Sequence, residues 1–134
     1  MPNRPLTLLL VEQQPLIRST LVAVARQIEL AQIEETASID IAEQRLRYKT
    51  YDGLLLSMDE TTRALNLLQR LRDGELSGCR MLPVVAMAAS CNAELVQQMK
   101  RHEVRRLLLK PFKVKELLQS IETLGEHILS SQPA

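Results

Sequence analysis

Short apolar runs alternate with amphipathic stretches along the whole chain. Leu6-Thr7-Leu8-Leu9-Leu10-Val11 is nearly all apolar, the pattern of a strand covered on both faces, and Glu12-Gln13-Gln14-Pro15 breaks it. From Pro15 onward Ile17, Leu21, Val24 and Ile28 recur three and four residues apart, which predicts an amphipathic helix with proline in its first turn. Ala31 to Thr36 then reads as a weaker strand, Ile39 to Tyr48 as a helix, and Gly53 to Leu56 as a very apolar strand ending at Ser57. Thr61 to Leu71 carries Ala64, Leu65, Leu68 and Leu71 on one helical face, Leu82 to Met87 is a strand, and Asn92 to Arg101 carries Leu95, Val96 and Met99. Arg105 to Leu109 is the last strand. Lys110-Pro111-Phe112 ends it, and Val114, Leu117, Leu118, Ile121, Leu124 and Ile128 mark a long final helix.

Five strand-helix units with short connections predict an α/β fold, a parallel sheet with helices on both faces. At this length the expected form is flavodoxin-like, a (βα)5 doubly wound sheet of strand order 2-1-3-4-5. The expected domain organisation is a single domain over 1–134, with its core at about 6–129. In such a sheet the functional crevice opens at the carboxyl ends of the first, third and fourth strands. The loops that matter are therefore Glu12 to Gln14, Ser57 to Glu60, Ala88 to Ser90 and Lys110 to Phe112.

Composition narrows the chemistry. Seventeen Lys and Arg against sixteen Asp and Glu leave a formal charge of +1, so any preference for a charged partner must be local. The aromatic residues are Tyr48, Tyr51 and Phe112, too few for the stacking platform of single-stranded nucleic-acid binders, and no direct DNA binding is expected. Cys79 and Cys91 sit in no metal-ligand spacing and flank opposite ends of the Leu82 to Met87 strand, beyond disulfide reach; they read as free thiols of a reduced, cytoplasmic protein. His102 and His127 fall at helix ends without ligand partners at metal spacing. The longest apolar stretches fall well short of a membrane span, so no membrane partner is expected.

The segments LLLVEQQPLIR (8–18), YDGLLLS (51–57), LPVVAMAA (82–89) and LLLKPFKVKELLQSI (107–121) together resemble the receiver domains of two-component response regulators. The buried strand ending in Lys-Pro-Phe is the most specific of them. The resemblance implies a signalling module, not an enzyme, that takes a phosphoryl group from a kinase histidine onto an Asp after the third strand. Carried over position by position, it places the acidic pair on Glu12 and Gln13, the acceptor on Ser57, the phosphoryl-binding hydroxyl on Ala88, the switching aromatic on Leu107 and the lysine on Lys110. Only the lysine matches the family pattern. Gln13 replaces a carboxylate that the family uses for magnesium, an ion that prefers carboxylate oxygens in octahedral geometry. Ser57 lacks the ionised oxygen of an Asp and has no histidine beside it in the motif to act as a base; it reads as a satisfied turn residue. The expectation is a degenerate receiver, a pseudo-receiver with no metal and no cofactor. Glu12 and Asp59 could still bind a divalent cation through their two carboxylates, or Asp59 is a charge favoured by the start of the following helix. Lys110 is expected to form an internal ion pair in place of a metal, and the resemblance implies a cis Lys110-Pro111 bond.

One charge feature stands out. Lys100, Arg101, Arg105, Arg106, Lys110, Lys113 and Lys115 are seven of the seventeen basic residues within sixteen positions, with Glu103 the one acid among them before Glu116. The segment is either a solvated edge or a docking face for an acidic helix or a phosphate-bearing ligand, both of which arginine can grip with two hydrogen bonds. Two functions follow. One is a phosphorylation-independent interaction module that meets a protein partner, or a second copy of itself, through the fourth helix, fifth strand and fifth helix. The other is a sensor that holds a phosphorylated nucleotide such as a cyclic dinucleotide on the Arg-rich segment.

Overall fold

A computed structural model describes residues 6–29, 31–76 and 80–131, with the side chains of 28 and 126–131 excluded. The elements run β1 (Leu6–Val11), α1 (Pro15–Ile28), β2 (Ala31–Thr36), α2 (Ile39–Tyr48), β3 (Gly53–Ser57), α3 (Thr61–Arg72), β4 (Val84–Ala88), α4 (Ala93–Arg101), β5 (Arg106–Leu109) and α5 (Val114–Ser131). All pairings are parallel, in the order β2-β1-β3-β4-β5. This is the predicted doubly wound α/β sheet.

The apolar runs are continuous because both faces of the sheet are covered. Side chains alternate across a strand, so each strand feeds two cores. Leu9, Val11, Leu54, Leu56, Val84, Ala86 and Ala88 face α2, α3 and α4, where Ala42, Leu46, Ala64, Leu68 and Met99 meet them. Leu8, Leu10, Leu55, Val85, Met87 and Leu108 face α1 and α5, against Leu21, Ala25, Leu117, Ile121 and Leu124. Gly53 begins β3 where space is shortest: a Cβ there would lie 3.0 Å from Leu8 Cδ2 and 3.2 Å from Leu124 Cδ1. Even a methyl at that position would require the Leu8 and Leu124 side chains to give way by a few tenths of an ångström.

Local chemistry sets the boundaries. Ser38 caps α2 by accepting the Ile41 N–H, Asn92 caps α4 by accepting the Leu95 N–H, and Pro15 opens α1. Asn92 is thus the cap of α4, not its first turn. The fourth strand begins at Val84, two residues later than the apolar pattern suggests, because Pro83 has no N–H for the ladder; its carbonyl still accepts from Leu54 N–H at 2.9 Å. The last strand likewise starts at Arg106, although the Arg105 N–H still reaches Val84 O at 2.8 Å. Cys79 and the side chain of His127 lie outside the described residues, and so does the free-thiol expectation for Cys79; Cys91 is a free thiol.

Candidate functional site

Four loops converge at the carboxyl edge of the sheet. Glu12 follows β1 and is fully buried, Ser57 ends β3 and is fully buried, Asp59 opens the loop before α3, and Lys110 follows β5. The Lys110 Nζ stands 2.6 Å from Glu12 Oε1, 2.8 Å from Asp59 Oδ2 and 3.2 Å from Ser57 Oγ. With its side chain 6% exposed, the ammonium exchanges hydration for three oxygens, two of them charged. The Lys110-Pro111 peptide is cis.

The remaining lone pairs are also engaged. Glu12 Oε2 accepts the Gln14 N–H at 3.1 Å. Asp59 Oδ1 accepts the Ala89 N–H at 3.3 Å, and Oδ2 accepts from Gln14 Nε2 at 3.4 Å. Ser57 Oγ accepts the Asp59 N–H at 3.3 Å. Burial alone would raise the Asp59 carboxyl, but the hydrogen bond and charge of Lys110, helped by the Ala89 N–H and the Ser57 hydroxyl, hold it below the usual carboxylate range. Behind the cluster, Arg18 donates to the Glu12 carbonyl at 2.8 Å and to the Gln13 carbonyl at 3.5 Å, fixing the turn after β1.

Of the crevice residues singled out in the sequence, Glu12, Ser57, Asp59 and Lys110 form one cluster, in which Lys110 hydrogen-bonds to Ser57 and Asp59 and meets Glu12 as a close ion pair. Gln13 is not part of it: its amide N and O are buried with no hydrogen-bond partner among the described residues. Ala88 is buried and contributes only its carbonyl, which accepts the Lys110 N–H at 2.8 Å. Leu107 packs against the α4 side of the core. Gln14, Ala89 and Arg18 belong to the arrangement but were not singled out. Two of these three act wholly or partly through backbone groups, and the backbone carries no signal in residue type.

The basic residues do not form one patch. Helix α4 runs back along the sheet, so Lys100 and Arg101 in its last turn lie near the start of β5, beside Arg105 and Arg106. Lys113 and Lys115 lie at the opposite end, beyond a strand that rises roughly 10 Å over its four residues. Lys100, Arg101, Arg105, Lys113 and Lys115 are exposed; Arg106 is half-buried and donates to Gln119 Oε1 on α5 at 3.1 Å. Lys113 also serves its own helix, because its N–H donates to Glu116 Oε1 at 3.1 Å, one half of a capping box for α5.

The doubly wound sheet thus carries a lysine between two carboxylates at its crevice. The chain matches the response regulator receiver domain family over residues 8–122, and it belongs to that family. Receiver domains are signalling modules of two-component systems, not classical enzymes, and they act by meeting other signalling proteins. No curated protein matches the chain. Among solved structures it is similar to a response regulator from Thermotoga maritima, with 20% identity over 91% of this chain and 98% of that one and a TM-score of 0.77. It is also similar to the CheY-like receiver domain of Methanospirillum hungatei, with 16% identity over 95% and 99% and a TM-score of 0.78. A third is the receiver domain of a Pseudomonas aeruginosa sensor histidine kinase with a magnesium ion coordinated in its active-site cleft, at 21% identity over 90% and 98% and a TM-score of 0.74.

Magnesium does not fit the residues of this crevice. Glu12 Oε1 and Asp59 Oδ2, the oxygens aimed into it, already share the Lys110 ammonium, and the neighbouring side chains are a neutral amide and a hydroxyl. A second cation would have to displace the first against its own charge. Among the described residues no group of three or more His, Cys, Asp or Glu could hold a metal ion, and no helix is long and apolar enough to cross a membrane.

Proposed function

We propose that this receiver domain is a degenerate one, a phosphorylation-independent regulatory module of the cytoplasm that acts through protein-protein contact on the surface of α4, β5 and α5. The observation that carries the reading is the Lys110 ammonium, closed between Glu12 and Asp59 with the Ser57 hydroxyl beneath it. A serine hydroxyl at the end of β3 is protonated at neutral pH and needs a base. The Lys110 ammonium, which faces two carboxylate oxygens and the Ser57 oxygen, has no lone pair with which to be that base. An acyl phosphate cannot form on a hydroxyl at all.

The partner is proposed to be acidic. Lys100, Arg101, Arg105 and Arg106 gather at the amino end of β5, with Glu103 the acid among them. The aromatics stand elsewhere: Tyr48 and Tyr51 lie at the end of α2 and before β3, and Phe112 packs on the α1–α5 core. The cations therefore offer charge without a stacking face, which suits a carboxylate-rich protein surface better than a nucleotide base. Lys113 and Lys115, at the far end of β5, are secondary.

The test is partner capture from the native cell followed by a binding titration. Wild type should bind equally with and without acetyl phosphate, and Arg105→Glu with Arg106→Glu should weaken binding at least tenfold with little change in Tm. Binding that requires acetyl phosphate, or that survives the double reversal, would overturn the proposal. A cyclic dinucleotide that binds in calorimetry and is lost in the same variant would move the function to ligand sensing.

A further inference from the structure

Among the four loops at the carboxyl edge, one side chain touches the other three. The Asp59 carboxylate leaves the β3–α3 loop, meets Lys110 Nζ of the β5–α5 loop at 2.8 Å, Gln14 Nε2 of the β1–α1 loop at 3.4 Å, and the Ala89 N–H of the β4–α4 loop at 3.3 Å. The last contact has the widest reach, because Ala89 stands three residues before Asn92, the cap of α4. Helix α4 has little else to hold it: of its nine residues only Met99 is buried, with Leu95 and Val96 partly so. Its two ends are tied instead. At the carboxyl end Arg72 donates to the His102 carbonyl at 2.7 Å and to Glu103 O at 3.5 Å. At the amino end the tie is Asp59.

We infer that Asp59 is a positioning residue for α4, an anion built into the chain that fixes the β4–α4 loop and with it the groove of about 420 Å³ between α3 and α4, lined among others by Thr62, Ser90, Cys91 and Asn92. The loop is set from within. Lys110 aims Asp59, Asp59 holds the Ala89 amide, and the amide fixes where the cap of α4 begins. The chain Lys110, Asp59, Ala89, Asn92 thus joins the crevice to a helix whose last turn carries Lys100 and Arg101. That final consequence, a change in partner binding, rests on the function proposed above; the coupling itself does not.

The test reads the loop directly. Ala89 is an exposed residue whose N–H donates to Asp59, so slow exchange of that amide, lost in an Asp59 variant, reports the bond. Wild type should show that protection, and an Ala89 amide exchanging at the rate of an unstructured peptide would overturn the inference without any variant. Asp59→Ala should speed the exchange about tenfold or more, the change expected for losing a hydrogen bond to a charged acceptor. In a Cys79→Ser background the half-buried Cys91 should react faster with a thiol reagent by a similar factor. Asp59→Asn keeps an acceptor for the Ala89 N–H but loses the charge facing Lys110, so it should restore most of the protection while still lowering Tm. Lys49→Ala, which breaks a remote pair with Glu34 on β2, should change neither readout. Unchanged Ala89 exchange and Cys91 reactivity in Asp59→Ala would refute the positioning role. If both respond but the Arg105 and Arg106 reversal leaves partner binding intact, the coupling stands and the docking proposal falls.

Discussion

Replacing Lys110 by methionine removes the ammonium while filling much of its volume, and the cost can be bounded from two sides. Glu12 is fully buried and loses the partner of Oε1 at 2.6 Å, whereas Asp59, with its side chain 26% exposed, can be rehydrated. Breaking a buried ion pair by deleting one member costs about 3–5 kcal/mol. The stranded carboxylate can escape by taking a proton, a limit on the cost that falls as the pH falls. The loss at neutral pH should therefore lie at the lower end, about 3 kcal/mol, which for a domain of this size is a fall in Tm on the order of 10 °C. The penalty should be smaller at pH 5 than at pH 7. Glu12→Gln with Lys110→Met should recover most of the neutral-pH loss, since no charge is left unpaired. Urea unfolding of the two variants and wild type at pH 7 and pH 5 checks all of this. A Lys110→Met loss below about 1 kcal/mol at pH 7, or one equal at the two pH values, would refute the buried pairing.

Two further outcomes follow from the structure. His102 is buried at the C-cap of α4, and burial first, then the charges of Arg101 and Arg72, hold its imidazole below 6.5 against the opposing pull of Asp73. The fold favours the neutral form, so its contribution is complete above pH 6.5 and is lost as pH falls from there toward the folded value; His102→Gln should flatten that stretch of the Tm profile. Arg72 bonds the carbonyls of His102 at 2.7 Å, Arg80 and Leu82 at 2.8 Å and Glu103 at 3.5 Å, so it clamps α3 to the connection before β4 and to the one between α4 and β5. Arg72→Ala should cost about 2–3 kcal/mol in chemical denaturation, far more than an exposed arginine, because several partly buried carbonyls lose a charged donor together.

Sheet order and element positions were legible because strands buried on both faces are written as unbroken apolar runs, and Leu8 to Val11, Leu54 to Leu56 and Val84 to Ala88 are such runs. The start of the fourth strand was misplaced where Leu82 is apolar and buried but Pro83 cannot donate to the ladder. Lys110 could be placed in the crevice from its position after the fifth strand together with the family resemblance that Lys-Pro-Phe helps to carry. Sequence left Asp59 open between a cation-binding carboxylate and a helix-start charge; in the structure its carboxylate pairs with Lys110, and Glu60 takes the N-cap position of α3. The Ala89 N–H and the Gln14 backbone contact could not be read, since any residue supplies an amide. The basic segment looked continuous because it is continuous in sequence. β5 divides it, setting Lys113 and Lys115 at one end of the sheet and Arg105 and Arg106 at the other.

The central claim is that a lysine ammonium closes the crevice of this receiver domain to phosphoryl chemistry. The most direct measurement is a titration of the isotope-labelled protein with beryllofluoride and Mg²⁺, followed by the amide resonances of Glu12, Ser57, Asp59, Ala89 and Lys110. The account predicts no saturable shift at any of them, because the oxygens that would receive the metal are held by Lys110 and Ser57 offers no carboxylate. Saturable, magnesium-dependent shifts centred on Ser57 and Lys110 would contradict it.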